Sequence, residues 1–148
     1  METALPEDFK EFLRLLHANG VEYLLIGGYA IGYYGYPRAT NDLDIWIAIA
    51  PGNAERMVKT LRDFGFDASQ LSTEVFAKEK SLVQMGVEPL KIEVTTFISG
   101  VSFEDCYAER VVGMIDGIEI NLISLSKLKI NKKASGRFKD LNDLEHLP

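Results

Sequence analysis

A chain of 148 residues is long enough to bury one hydrophobic core, and a single domain over 1–148 is expected. Its apolar fraction of 47% and charged fraction of 26% are those of an ordinary globular protein. The net charge of −6 argues against a general nucleic-acid binder, which would be basic.

The charge is uneven. Residues 124–139 hold six basic side chains (Lys127, Lys129, Lys132, Lys133, Arg137 and Lys139) and no acid, which leaves all 22 acidic residues to the rest of the chain. Such asymmetry suggests a local anion site on an acidic surface. The lone cysteine, Cys106, allows no intrachain disulfide and reads as a buried structural thiol. The acidic N-terminus lacks a signal-peptide pattern, and the longest uncharged run, 23–37, is too short to span a bilayer. A cytoplasmic, reducing context without membrane association is expected.

Residues 6–19 read as an amphipathic helix. Pro6, Glu7 and Asp8 suit its first turn, Phe9, Phe12, Leu13 and Leu16 share one face, and Gly20 stops it. Residues 21–26 form a short apolar strand ended by Gly27-Gly28, and 29–34 a short helix broken by Gly35-Tyr36-Pro37. Residues 42–49 alternate as a strand, and Pro51 opens a second long helix that ends before Gly65. Shorter strands are expected near 74–77, 82–86 and 89–95, the last with Lys91, Glu93 and Thr95 on one face. Ser102 caps a helix through 110, and Asp116-Gly117 joins 111–115 to 118–122 as a hairpin. Ser124 or Ser126 starts a helix interrupted by Gly136, and 137–147 forms the last one. Interspersed helices and strands with one hairpin give an α/β (α+β) class: a mixed, twisted sheet flanked by helices.

The chemistry concentrates at Asn41-Asp42-Leu43-Asp44. Side chains two apart on a strand leave the same face, so Asp42 and Asp44 point together while Leu43, Ile45, Ile47 and Ile49 point into the core. Paired carboxylates are costly unless a cation sits between them. Magnesium, which favours one or two carboxylates plus phosphate oxygens, suits the pair. Glu93, on another alternating segment, supplies a third acid, and two ions in such a site would activate the attacking oxygen and stabilise the leaving one. Gly27-Gly28 would cradle phosphate, Arg38 would grip a phosphate oxygen, and Lys132 and Lys139 would neutralise a leaving diphosphate or hold an acceptor. Each has a bland alternative: a solvated strand end, a tight turn, an Arg38–carboxylate pair, the polar face of an edge strand, an idle lysine-rich helix face. Trp46, on the carboxylate face, either stacks on a base or lines the cleft structurally.

Gly27-Gly28, Asp42-Leu43-Asp44 and Glu93, in that order, resemble the motif of the nucleotidyltransferase superfamily in its minimal single-domain form. Gly-Gly-Tyr-Ala at 27–30, Arg-Ala-Thr-Asn-Asp-Leu-Asp at 38–44 and the tail from Lys132 to Leu144 are similar to bacterial abortive-infection and toxin–antitoxin relatives. The resemblance implies a catalytic, metal-binding triad of Asp42, Asp44 and Glu93, with nucleotide-binding residues Gly27, Gly28, Arg38, Thr40, Lys132 and Lys139. It implies transfer of a nucleoside monophosphate from a nucleoside triphosphate, with Mg²⁺ (two ions), to a hydroxyl of a protein such as a toxin or of an RNA 3′ end. With no room for the accessory domain of larger relatives, a partner would choose the acceptor. Two departures from the family pattern stand out: Gly28 where serine is common, and glutamate at 93 where many relatives carry aspartate. The alternatives are a catalytically silent nucleotide-binding antitoxin or regulatory module, and a metal-dependent phosphodiesterase. Oligomeric state is not legible.

Overall fold

The computed structural model describes residues 4–37, 39–66, 72–86 and 90–148. Helix α1 (Glu7–Ala18) leads into strand β1 (Tyr23–Ile26) and the short helix α2 (Gly27–Tyr33). Strand β2 (Asp42–Ile47) then precedes α3 (Asn53–Phe64) and α4 (Thr73–Ala77). Strands β3 (Leu82–Met85) and β4 (Lys91–Thr95) are followed by α5 (Phe103–Ala108) and the hairpin β5 (Val111–Ile115) and β6 (Ile118–Leu122). Helices α6 (Leu125–Ser135) and α7 (Phe138–His146) complete the chain.

The six strands form one sheet in the order β3-β4-β2-β1-β6-β5. The pairs β2–β4 and β1–β6 are parallel, and β1–β2, β3–β4 and β5–β6 are antiparallel. The expected mixed sheet flanked by helices is therefore observed. Central β1 is buried along its whole length, as a strand covered on both faces should be. On β2, Leu43, Ile45 and Ile47 are fully buried, while Asp42 and Asp44 on the other face are half-buried. Asn53 locks this region: its side chain accepts from the Glu22 amide (2.8 Å) and donates to the Ala48 carbonyl (2.9 Å), tying the approach to β1 and the end of β2 to the first turn of α3. Asp116 and Gly117 both have positive φ, 49° and 79°, as a type I′ hairpin turn requires.

Three expectations need correction. Residues 74–77 lie in a helix, α4, packed on α3 with Phe76 buried; four residues carry too little periodicity to separate the two conformations. Strand β2 ends at Ile47, so Ile49 is 45% exposed rather than in the core. Helix α2 begins at Gly27 itself, so the glycine pair forms its first turn rather than preceding it. Among the described residues, no helix is long and apolar enough to cross a membrane.

Candidate active site

The parallel register of β2 and β4 sets Asp44 directly opposite Glu93 and Asp42 opposite Lys91. The antiparallel register of β1 places Ile26 opposite Asp44, and Gly27 follows it at the strand's end. Asp42, Asp44 and Glu93 thus share one face of two neighbouring strands and line one cleft of about 550 Å³.

Gly27 explains how two elements approach so closely here. Its φ is 72°, and a Cβ at this position would collide with the Asp44 carboxylate, lying 2.8 Å from its Cγ. Only glycine satisfies both the left-handed backbone and the contact. A Cβ on Gly28 would come within 2.9 Å of both Cβ and Oγ1 of Thr40, so the serine common at this point in relatives would crowd Thr40. Thr40 Oγ1 accepts from the Asp42 amide at 3.3 Å, fixing the start of the acidic strand. Arg38 lies outside the described residues.

Burial pushes the Asp44 carboxyl up to about 7, helped by a hydrogen bond with Glu93 and by the charges of Glu93 and Asp42, with Lys139 opposing. The Glu93 carboxylate also accepts from Gln84 Nε2 at 2.8 Å. Without a cation, the Asp44 carboxyl is therefore held towards its protonated form. The oxygens of these acids are the hard donors that magnesium prefers. Among the described residues, no group of three or more Asp, Glu, His or Cys side chains is already placed to hold a metal ion together. A magnesium ion here would take only one or two of these carboxylates in their present positions and fill its other places with phosphate and water oxygens.

The opposite wall comes from the tail. Gly136, at φ 67°, ends α6. Asp140 then gathers the turn: Lys132 Nζ donates to it at 3.1 Å, Ser135 Oγ at 3.0 Å, and Arg137 at 2.7 Å through Nε and 3.3 Å through Nη2. Burial alone would raise this carboxyl, but Arg137, Lys132 and Ser135 outweigh it and hold Asp140 at about 2. Lys132 also reaches Asp143 at 3.3 Å. Its ammonium is buried and committed to two aspartates, and it does not line the cleft. Lys139 does, as do Arg137, Ser135, Asn131 and Asp140. Asn131 Nδ2 further donates to the Ser99 carbonyl (3.0 Å), tying α6 to the loop after β4. Sequence reasoning placed Arg137 in the basic segment 124–139 and singled out Lys132 and Lys139, but not Asn131, Ser135 or Asp140; the tail Lys132–Leu144 was the signal, read as charge and family likeness rather than as a built turn. Trp46 is buried edge-on against Phe103 (ring centroids 5.1 Å apart), the structural one of its two readings.

Three solved structures share this architecture. The proposed nucleotidyltransferase TM1012 of Thermotoga maritima superposes with a TM-score of 0.64 at 16% identity, over 93% of this chain and 88% of that one. The lincosamide antibiotic adenylyltransferase LnuA, bound to lincomycin, gives 0.62 at 13% identity, over 98% and 97%. An antigenic nucleotidyltransferase-like protein of Paracoccidioides brasiliensis gives 0.54 at 18%, over 97% and 77%. At such identities the likeness is one of fold. No curated protein matches the chain. The sequence itself carries the assignment further: residues 8–147 match the model of the aminoglycoside-2''-adenylyltransferase family, and over that span this chain belongs to that family and is a nucleotidyltransferase.

Proposed function

We propose that the chain binds a nucleoside triphosphate with Mg²⁺ between the acidic strands and the α6–α7 turn, and moves its nucleoside monophosphate onto a hydroxyl of a small molecule. The observation that carries this reading is the register of Asp44 against Glu93 with Asp42 alongside, in a cleft closed across by Lys139 and Arg137. Asp42, Asp44 and Glu93 would hold the ion, which when bound supplies charge neutralisation at the reacting phosphoryl group. Lys139 and Arg137 face the same space and offset the charge of the triphosphate tail. In the transfer, the acceptor oxygen bonds to the α-phosphorus, the bond to the β-phosphate bridge breaks, and diphosphate leaves. The acceptor's proton passes to Glu93, the acid on the β4 side of the cleft.

A small acceptor is favoured over a protein side chain or RNA end. LnuA, matched over 97% of its length, is an adenylyltransferase bound to an antibiotic, so a chain of this span needs no further domain to take one. The family's description points the same way. The chain's net charge of −6 also disfavours an RNA acceptor. The test is diphosphate release from each nucleoside triphosphate with Mg²⁺ and hydroxylated amines as acceptors. Release is expected from wild type and not from Asp44→Asn; monophosphate release would indicate hydrolysis instead.

A further inference from the structure

Strand β5 is an outer strand of the sheet, and among the described residues no strand pairs with its outer side. Its hairpin partner fixes which of its backbone groups are free. A two-residue type I′ turn is closed by a hydrogen-bonded pair, here Ile115 with Ile118. Bonded and non-bonded pairs alternate along an antiparallel ladder. Gly113 and Val111 therefore bond to β6 as well, whereas Val112 and Met114 turn their amides and carbonyls outward. The side chains of Val112 and Met114 share one face and are 56% and 60% exposed. Edge strands are ordinarily blunted by lysine, proline, a bulge or a covering element. Val111-Val112-Gly113-Met114-Ile115 carries no charge and no proline, and it pairs with β6 without a bulge. On the other face Tyr33 stands over Gly113, its hydroxyl 2.6 Å from where a Cβ would lie, and is itself 39% exposed.

We propose that β5 is a self-pairing edge: a second copy of this chain adds its own β5 antiparallel, about a two-fold axis through Gly113. The outward-facing residues must form the new bonded pairs, so 112 and 114 pair either with each other or with themselves. The register centred on Gly113 sets Val112 of each copy against Met114 of the other, with about four hydrogen bonds between the strands. It also brings Arg110 of each copy beside Asp116 of the other, one such pair at each end of the junction. Arg110 is exposed. Asp116 takes the Leu5 amide and Lys10 through Oδ2, which leaves Oδ1 for the guanidinium. A register centred on Val112 sets Arg110 against Met114, and one centred on Met114 sets Asp116 against Val112. Charge complementarity thus selects the Gly113 register. Such a contact uses the same strand on both copies and closes on itself, so assembly stops at the dimer. The proposal is independent of the nucleotidyl-transfer reading.

Sedimentation equilibrium of the full chain should show a monomer–dimer equilibrium within about 1–100 µM and no larger species. Met114→Lys, at an exposed side chain, sets like charges near the axis and should weaken association at least about tenfold, with the circular dichroism of wild type retained. Arg110→Glu should weaken it as well, and Arg110→Lys should restore most of the loss. Cysteine cross-linking reads the register. Val112→Cys and Met114→Cys proteins should form a disulfide when mixed and oxidised, because directly paired Cα atoms lie about 5.5 Å apart. Neither should do so alone, because the diagonal separation of about 7–8 Å is too long. The native Cys106 is buried and serves as the control in the wild type. A monomer throughout the concentration range, a dimer that both Met114→Lys and Arg110→Glu leave unchanged, or disulfides formed by either cysteine variant alone would overturn the proposal.

Discussion

At residue scale, Gly27 and Asp44 act as one unit. The left-handed backbone of Gly27 and the carboxylate that fills its missing side chain mean that Gly27→Ala must both strain the backbone and displace an acid. Left-handed φ costs a β-carbon about 1–2 kcal/mol, and a displacement near 1 Å costs catalysis about 100-fold. Gly27→Ala is therefore expected to fold with a modestly lowered melting temperature and to lose transfer by at least that factor; thermal melts and initial rates on the same preparation check both. Asp44 carries a separate cost. Its carboxyl holds a proton up to about pH 7 in the folded chain, against about 3.9 when exposed. Because the folded state binds the extra proton, this group's contribution to stability is present below about pH 4 and is lost as the pH rises through 7. In metal-free buffer, Asp44→Asn should be more stable than wild type at pH 8, by on the order of 1–3 kcal/mol, and the gap should close towards pH 4. Urea midpoints at the two pH values measure it. A divalent cation bound at Asp44 would take the place of that proton, so Mg²⁺ should narrow the gap at pH 8 and bind more tightly as the pH rises.

At the scale of elements, the α6–α7 turn is a built support rather than a charged surface. Lys132 sits buried between Asp140 and Asp143, and Asp140 in turn holds Arg137 at the cleft. Removing one partner of a buried pair costs about 3–5 kcal/mol, so Lys132→Met should lower the melting temperature by roughly 10 °C. Lys139 is exposed and lines the cleft. Lys139→Ala should leave the melting temperature nearly unchanged and weaken triphosphate binding, an effect that shrinks as salt screens the wild type. A differential scan and a salt series of nucleotide titrations separate the two lysines. The sequence could not, because both belong to one basic run, and what buries Lys132 is a pair of aspartates on the next helix. The Asp42–Asp44 strand was legible for the opposite reason. Its alternation with Leu43, Ile45 and Ile47 is local, and Glu93 alternates in the same way with Ile92 and Val94. Their exact pairing in register is tertiary and needed the sheet. Residues 74–77 misled because so short a run fits strand and helix equally, and packing on α3 decided it.

At the scale of the whole molecule, acids from β2 and β4 and cations from the α6–α7 turn line one cleft. The acids of β2 and β4 face Lys139 and Arg137 across the cleft, and cationic side chains there oppose the self-repulsion of a chain whose net charge is −6. A second, apolar cavity lies beyond Phe97, which lines both it and the cleft. The order of glycine pair, paired aspartates and third acid was visible in the sequence, whereas the second cavity was not, because its walls come from β2, the end of β4 and α5 at once. The proposed chemistry is transfer of a nucleotide in this cleft with magnesium, through Asp42, Asp44 and Glu93. The most direct measurement is mass spectrometry of hydroxylated amine acceptors after incubation with each nucleoside triphosphate and Mg²⁺, comparing wild type with Glu93→Gln. An acceptor heavier by one nucleoside monophosphate is expected with wild type only, with nucleotide affinity retained in Glu93→Gln. An adduct formed equally by the variant, or without Mg²⁺, would contradict it.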